Sequence, residues 1–152
     1  KNHRFHPKEK MDTLLMAKSY ASAEVKIEIP FHDVDSMNIV WHGNYAKYFE
    51  IARCALFESI AFNYDKMVEY GYGWPIVDMR IRYPKPAQFK QVIRVKADLV
   101  EYEERLKVNF LITDAKSGER LTRGYTTQVA VDLKSGEMLF STPSIVAKKL
   151  GL

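Results

Sequence analysis

Two stretches of the chain alternate apolar and charged side chains at every second position. Valine and isoleucine alternate with lysine and glutamate over residues 24–30, and a second alternation covers residues 76–83. This period is typical of a half-buried β-strand, because successive side chains of a strand point to opposite faces of the sheet. Proline cannot donate a ladder hydrogen bond, and it ends the two stretches at Pro30 and Pro84. The pattern therefore predicts two strands.

Between these two strands, from Asn44 to about Phe62, the apolar period becomes helical. Apolar side chains recur at steps of three or four residues, at Tyr45, Tyr48, Phe49, Ala52, Leu56 and Ile60. Charged side chains fall on another face, at Lys47, Glu50 and Arg53. The spacing predicts one long helix of roughly 28 Å, with Gly43 or Asn44 at its N-cap.

Three further alternating stretches follow the second strand, at residues 92–102, 106–114 and 121–133. The short connections at 103–104 and 116–119 have the length of hairpin turns, so we expect these strands to pair antiparallel. One strand, one helix and then four strands predict an α+β fold. In this fold an antiparallel sheet of about five strands wraps around a long central helix.

A single helix can cover only one face of so long a sheet. Apolar surface and an unpaired strand edge are then left over, and both favour association of identical chains. We therefore expect a homodimer or a dimer of dimers. The composition, with 47% hydrophobic and 28% charged residues, is that of one ordinary globular domain. We assign this domain to residues 21–152, after an N-terminal arm at residues 1–20.

The charge distribution argues against nucleic acid as a partner. The chain has a formal net charge of +4, and four basic residues against one acidic residue give its first ten residues +3. The remaining chain is nearly neutral, whereas a nucleic-acid-binding domain is expected to be basic. No apolar stretch reaches the roughly 20 residues that a membrane-spanning helix needs. The single cysteine, Cys54, is expected in the helix interior and cannot form an internal disulfide, which favours a cytoplasmic protein.

The polar residues that could carry chemistry concentrate just before the long helix, at His32, Asp33, Asp35, Asn38 and His42. An isolated D-x-D is most often a solvated loop, and this interpretation suits Asp33. At Asp35, however, a carboxylate close to a helix N-terminus could face a reacting carbonyl group. The oxyanion that develops there would be stabilised by backbone N–H groups and the helix dipole. The loop therefore indicates acyl-transfer chemistry.

A metal site is the other chemistry that these side chains would suit, because histidine and carboxylate ligands bind zinc, manganese or iron(II). Its ligands would be His32, Asp33, Asp35 and His42, but the histidines lack the usual ligand spacing. Cys54 is not expected to be a nucleophile, because the sequence offers no obvious base to activate it. A serine or threonine nucleophile is also unsupported, since the chain has no G-x-S-x-G turn, P-loop or G-x-G-x-x-G. We therefore expect neither a metal nor a cofactor.

Two parts of the chain carry a further pattern: DSMNIVWHGNY at residues 35–45 with YFEIAR at 48–53, and IRYPKPAQF at 81–89. The spacing D-x4-V-x4-Y-x4-E is met by Asp35, Val40, Tyr45 and Glu50. Together with the strand order, these segments resemble the hotdog-fold acyl-CoA thioesterases of the 4-hydroxybenzoyl-CoA thioesterase type. The resemblance covers about residues 23–133.

The resemblance implies a hotdog-fold enzyme that hydrolyses an acyl-CoA, or an acyl-carrier-protein thioester, to the free acid. The catalytic carboxylate would be Asp35, acting as a general base on water or as a nucleophile. Backbone N–H groups around His42 and Gly43 would polarise the thioester carbonyl. The family has its active sites at a dimer interface, and a related subgroup has its carboxylate on the central helix, where Glu50 stands here. A non-catalytic domain that binds or senses acyl-CoA is the alternative from another class.

Substrate contacts are expected in two parts of the chain. Asn38, Trp41 and Tyr45 lie within the first resembling segment and are expected to bind the acyl thioester. The cations expected to bind the CoA phosphates are Arg80, Arg82, Lys85 and Arg123. The chain departs from the family at two places: it has Met37-Asn38 where Ala-Gly is usual, and Gln91 where an acidic residue is common.

Overall fold

The structure is a computed structural model that describes residues 19–152. The predicted N-terminal arm comprises residues 1–20. Residues 1–18 of this arm lie outside the described residues. The strands are β1 (Ala21–Glu28), β2 (Tyr72–Gly73), β3 (Ile76–Arg82), β4 (Val92–Glu101), β5 (Leu106–Asp114), β6 (Arg120–Gln128) and β7 (Val131–Asp132). The helices are α1 (Tyr45–Ser59), α2 (Tyr64–Glu69) and α3 (Ser144–Lys149), with 3₁₀ turns at Phe31–Asp33 and His42–Asn44.

The main sheet has five strands in the order β1-β4-β5-β6-β3, and every neighbouring pair is antiparallel. Helix α1 packs across one face of this sheet, where β4 and β5 present buried apolar side chains. These are Ile93, Val95, Ala97 and Leu99 on β4, and Leu106, Val108, Phe110 and Ile112 on β5. The rings of Phe49 on α1 and Phe110 stack with their centroids 4.4 Å apart. The predicted α+β architecture, an antiparallel sheet around one long helix, is confirmed.

Strand β6 presents a different surface to the helix. Its positions on the helix side are small or polar, at Thr122, Gly124, Thr126 and Gln128. Glycine is required at position 124, since a Cβ there would lie 2.2 Å from the carbonyl oxygen of Arg80 and 2.7 Å from the Phe49 ring. The helix therefore approaches the backbone closely on the side of the sheet that leads to β3.

Strand β3 forms one edge of the sheet. It pairs with β6 on one side, and no other strand within residues 19–152 pairs with its second side. The strand is exposed at every position except Ile81, and its exposed apolar side chains are Ile76, Val77 and Met79. An exposed apolar edge of this kind favours pairing with a further strand.

The ends of two elements differ from the prediction. Helix α1 ends at Ser59 rather than near Phe62, because Ala61 takes a left-handed conformation with a φ of 55°. Strand β6 ends at Gln128, and the residues after it form β7, which pairs with β2 in a separate two-stranded sheet. The short helices α2 and α3 were not predicted. None of the helices within residues 19–152 is long and apolar enough to cross a membrane.

Two side chains of α1 lie where the helical pattern did not place them. Arg53, predicted on the polar face, is only 8% exposed, and burial lowers the pKa of its guanidinium group. Its guanidinium lies 3.8 Å from the Glu50 carboxylate. Cys54, expected in the interior, is exposed. The cytoplasmic location expected from the single cysteine stays a prediction.

Candidate active site

The segment between β1 and α1 is a narrow loop that backbone hydrogen bonds hold in place. Val34 and Val40 form an antiparallel bridge, and Asp35 N donates to Ile39 O at 2.9 Å. The loop also contacts the segment after β3, because Val40 N donates to Ala87 O at 2.8 Å. Asp35 therefore lies in a fixed turn rather than on a free coil.

The turn is built around the side chain of Asp35. Its Oδ1 accepts a hydrogen bond from Met37 N at 2.8 Å, and Asn38 N donates to the Asp35 carbonyl at 3.0 Å. Asn38 has a φ of 63°, a left-handed conformation that glycine and asparagine tolerate best. Asn38 can therefore stand where the resembling family usually has glycine. The Asp35 side chain is exposed, and its Oδ2 accepts no hydrogen bond from the described part of the chain.

The 3₁₀ turn His42–Asn44 leads directly into α1, and within the described residues the N–H groups of His42 and Gly43 have no backbone acceptor. Within the described residues, no side chain caps the N-terminus of this turn or of α1. The first N–H groups of a helix have no intrahelical acceptor, so those of His42 and Gly43 can bind an acceptor at the positive end of the helix dipole. Asn44 stands at the N-cap of α1, one of the two predicted positions, but it has helical backbone angles, and its side-chain amide donates to Asp33 O at 2.9 Å instead of capping the helix.

The start of α1 depends on glycine at position 43 because Trp41 occupies the neighbouring space. A Cβ on Gly43 would lie 2.1 Å from a ring carbon of Trp41. Trp41 is 53% exposed, and its ring centroid lies 4.9 Å from that of His42. Trp41 therefore covers the helix start with a large, partly exposed aromatic surface.

An open cleft of about 280 Å³ lies beside the helix start. Its lining residues are Asp35, Ile39, Val40, His42, Tyr45, Tyr83 and Pro86. The structure thus brings together Asp35, His42 and Tyr45, three of the residues that were predicted to form the site. Tyr45 is also part of the framework, because it is buried and its hydroxyl accepts a hydrogen bond from Ala87 N at 3.0 Å. Predicted residues that lie in the same loop but do not line the cleft are Asn38, Trp41 and Gly43.

Tyr83, which sequence reasoning missed as a site residue, completes one side of the cleft. Its hydroxyl donates to the carbonyl of His42 at 3.3 Å, and its ring centroid lies 5.1 Å from that of Tyr45. Burial, together with Tyr45, raises the pKa of the Tyr83 hydroxyl. Alternation along β3 could have found this residue, since Tyr83 continues the row of Ile81, on the face that α1 covers.

The cations that were predicted to bind CoA do not line the cleft. Arg80, Arg82 and Arg123 alternate with positions of β3 and β6 that face α1, so their side chains point to the opposite face of the sheet. Lys85, which follows β3, forms an ion pair with Glu119. The three arginines therefore gather on the outer face of the sheet, near its β3 edge.

Asp33 is not the solvated residue that the D-x-D pattern indicated, since it is only 2% exposed. Lys47 Nζ donates to its Oδ1 at 2.5 Å, and the Tyr48 hydroxyl donates to its Oδ2 at 2.6 Å. Burial alone would raise the pKa of Asp33, but these hydrogen bonds and the charges of Lys47 and His32 hold it below its ordinary value. Burial and the Asp33 carboxylate together raise the pKa of Tyr48.

The alternative chemical groups do not come together in the fold. Within residues 19–152, no three His, Cys, Asp or Glu side chains form a cluster that could hold a metal ion. The ligand set considered from the sequence, His32, Asp33, Asp35 and His42, is therefore not assembled. Glu50, the alternative carboxylate, does not line the cleft, and its charge lies close to Arg53.

An antiparallel five-stranded sheet around one long helix, with a carboxylate in the turn before that helix, defines a hotdog-type α+β protein. The family model of the Thioesterase-like superfamily matches residues 29–150, and the chain belongs to this superfamily. The prediction of a hotdog-fold thioester hydrolase is thereby confirmed.

Three relatives show how far the similarity extends. A Synechocystis protein named as an esterase is 28% identical over 128 residues, which cover 84% of this chain and 77% of the relative. YneP of Bacillus subtilis, named as an acyl-CoA thioesterase, is 29% identical over 110 residues, or 72% of this chain and 80% of YneP. The solved structure of a DHNA-CoA thioesterase from Staphylococcus aureus has a TM-score of 0.72 at 27% identity, covering 78% of this chain and 80% of that one.

Proposed function

We propose that the protein hydrolyses acyl-CoA thioesters to a free acid and CoA, with Asp35 as the reacting carboxylate. The observation that carries this proposal is the cleft that Asp35 and His42 line together at the start of α1. Asp35 Oδ2, which accepts no hydrogen bond from the described residues, is available to water or substrate. The names of the Bacillus subtilis and Staphylococcus aureus relatives support a CoA thioester as the substrate.

The helix start supplies the second half of the chemistry. A thioester carbonyl in the cleft would accept a hydrogen bond from the N–H group of His42 or Gly43. As the transition state forms, negative charge grows on that oxygen, and the positive end of the helix dipole stabilises it. The donors are backbone groups of a 3₁₀ turn that leads into α1, so they are already oriented before the reaction.

Asp35 can act in either of two ways, as a general base or as a nucleophile. As a general base, it takes a proton from water while the water oxygen bonds to the carbonyl carbon; the C–S bond then breaks, and the departing CoA sulfur is protonated. As a nucleophile, the Asp35 carboxylate bonds to the carbonyl carbon and expels CoA, and water then hydrolyses the mixed anhydride. Both routes consume water and release the acid and CoA.

The remaining substrate contacts follow from the shape of CoA. Its phosphates lie at the far end of the pantetheine arm, so they can be bound by cations outside the cleft. The cations that we assign to this role are Arg80, Arg82, Lys85 and Arg123. Tyr45 in the cleft, with Asn38 and Trp41 beside it in the loop, is assigned to the thioester end. An acyl-carrier-protein thioester presents the same arm and is the alternative substrate.

We also infer that two copies of the chain pair through β3. No strand of residues 19–152 pairs with the outer edge of this strand, which is exposed and carries apolar side chains. Antiparallel pairing of two copies would bring Ile76 at the start of one β3 next to Arg82 at the end of the other, close to the Tyr83 side of its cleft. Light scattering at micromolar concentration should then give at least twice the monomer mass of 17.6 kDa, and a monomer mass would contradict the pairing.

A panel of acyl-CoAs with short, long and aromatic acyl groups tests the proposed function. Thiol release is followed with a disulfide reagent that traps free CoA. We expect catalytic turnover of at least one member of the panel. Tight binding of one acyl-CoA with no turnover across the whole panel would contradict hydrolysis and favour a binding or sensing domain.

A further inference from the structure

Asp33 is engaged through both its side chain and its backbone. Its buried carboxylate accepts hydrogen bonds from Lys47 Nζ at 2.5 Å and from the Tyr48 hydroxyl at 2.6 Å. Its carbonyl oxygen accepts two more, from Trp41 N at 3.0 Å and from the side-chain amide of Asn44 at 2.9 Å. One buried residue thus holds four positions around the start of α1.

These four positions surround the groups that we assign to catalysis. Trp41 and Asn44 directly flank His42 and Gly43, whose N–H groups would bind the carbonyl oxygen. The other two partners, Lys47 and Tyr48, lie in the first turn of α1, immediately after the 3₁₀ turn that contains His42 and Gly43. Asp35 itself belongs to the same loop, two positions beyond the anchoring carboxylate.

From this arrangement we propose that Asp33 is a positioning residue of the thioesterase site. It fixes the start of α1 relative to the turn that bears Asp35. The Asp35 carboxylate and the N–H groups of His42 and Gly43, which would stabilise the oxyanion, then keep their relative placement. The proposal rests on the proposed function, because it concerns the same site. Placement matters for the rate, since a shift of about 1 Å in a reacting group can cost about 10²-fold. The sequence alone would have made Asp33→Asn a neutral control, and burial reverses that expectation.

The charge of Lys47 is part of the anchor. A carboxylate that is almost fully buried is stable only with a compensating partner, and Lys47 Nζ donates directly to it. Among the described residues, the only other cation that an ion pair links to Asp33 is His32, with Nε2 3.6 Å from Oδ1. The His32 side chain is largely exposed and adds charge only when it is protonated. Lys47 is therefore the partner whose removal should release the helix start.

The test compares variants of Asp33 and Lys47 with a control variant of another aspartate that also has a hydroxyl and a lysine partner. Asp33→Asn keeps the side-chain size but removes the charge, Lys47→Met removes the cation, and Lys47→Arg keeps it. Asp98→Asn is the control, because Asp98 also has a hydroxyl and a lysine partner. Ser19 Oγ donates to Asp98 Oδ1 at 2.9 Å, and Lys96 Nζ lies 3.9 Å from Oδ2. Asp98, however, lies on β4, on the face of the sheet opposite to α1.

Two assays are run on each variant. Steady-state kinetics give kcat and KM on the acyl-CoA that the wild type cleaves best, and NMR gives the hydrogen-exchange rate of the Trp41 backbone amide. We expect Asp33→Asn and Lys47→Met to lower kcat at least about tenfold while KM stays within about twofold. The Trp41 amide, which donates to Asp33 O, should exchange faster in both. Lys47→Arg and Asp98→Asn should match the wild type in kcat, in KM and in the exchange rate.

Several outcomes would overturn the proposal. Wild-type kcat in Asp33→Asn would do so, and so would a lower kcat with unchanged exchange at Trp41. If Asp33→Asn does not fold, the kcat and the Trp41 exchange rate of Lys47→Met decide the question. If the wild type cleaves no acyl-CoA, the proposed function fails, and the Trp41 exchange rates alone then support or overturn the anchoring role of Asp33.

Discussion

Asp33 and Asp35 are separated by one residue and have opposite surroundings. Asp33 is buried, and its carboxylate accepts hydrogen bonds from Lys47 and Tyr48. Asp35 is exposed, and within the described part of the chain its carboxylate accepts one hydrogen bond, from Met37 N in its own turn. One half of the loop is thus an anchor and the other half is free to react. The comparison shows that the fold, and not the residue type, decides which carboxylate is available for chemistry.

The largest expected effect is on folding stability, and it should separate the two aspartates. Asp33→Ala leaves Lys47 and Tyr48 without their buried partner, so the free energy of unfolding should fall by about 3 kcal/mol. Asp35→Ala removes a hydrogen bond from an exposed turn and should cost less than about 1 kcal/mol. Urea unfolding of the two variants measures both losses, and equal losses would contradict the anchoring role of Asp33.

A smaller effect, on kcat, is expected at Gly43, where the loop meets the start of α1. In Gly43→Ala, the new methyl group must displace the Trp41 ring and with it the start of α1. We expect kcat to fall about tenfold, with an unchanged circular dichroism spectrum. Removal of the ring in Trp41→Ala/Gly43→Ala should bring kcat back to that of Trp41→Ala alone. Wild-type kcat in Gly43→Ala would show that the helix start is not part of the site.

Much of the framework could be predicted because its signals are local. Helix α1 and strands β3 to β5 follow from apolar periods of about 3.6 and 2 residues, whereas β6 has small or polar residues on its helix side. Asp35, His42 and Tyr45 meet in the cleft because all three lie within one loop and the helix turn that follows it. Such short separations leave the chain few ways to keep these residues apart.

The remaining features depend on contacts that the sequence pattern does not contain. Tyr83 reaches His42 across 41 positions, because β3 and the segment after it pack beside the helix start. Asp33 is buried because side chains from the first turn of α1 fold over it, which a D-x-D pattern cannot indicate. Arg53 is buried at a position that the helical period assigned to the polar face.

A severalfold effect is expected on the outer face of the sheet, away from both aspartates. The cations to be neutralised together, by Arg→Gln and Lys→Met substitutions, are Arg80, Arg82, Lys85 and Arg123. At low salt, the KM for acyl-CoA should rise about fivefold with little change in kcat, and the KM of the wild type should rise with ionic strength. Lys66→Met, on the exposed helix α2, serves as the control. An unchanged KM would make this assignment wrong.

The smallest effect is a pH dependence of stability that only the buried aspartate should show. Asp33 has a pKa below its ordinary value of 3.8, so its charged form stabilises the fold above that pH. This stabilisation is lost as the pH falls through the lowered pKa. The difference in unfolding free energy between wild type and Asp33→Asn should therefore be constant from about pH 7 to 5 and narrow below about pH 4. A difference that widens in acid would contradict the ionised anchor.

The kcat of Asp35→Asn tests the proposed chemistry most directly. The amide keeps the size of the side chain but is neither an effective base nor a nucleophile, so kcat should fall at least about 10²-fold. Circular dichroism and acyl-CoA binding should stay those of the wild type. Glu50→Gln, at the exposed carboxylate on α1, should retain wild-type kcat. Wild-type kcat in Asp35→Asn, together with a folded but inactive Glu50→Gln, would contradict the assignment and place the chemistry on the helix.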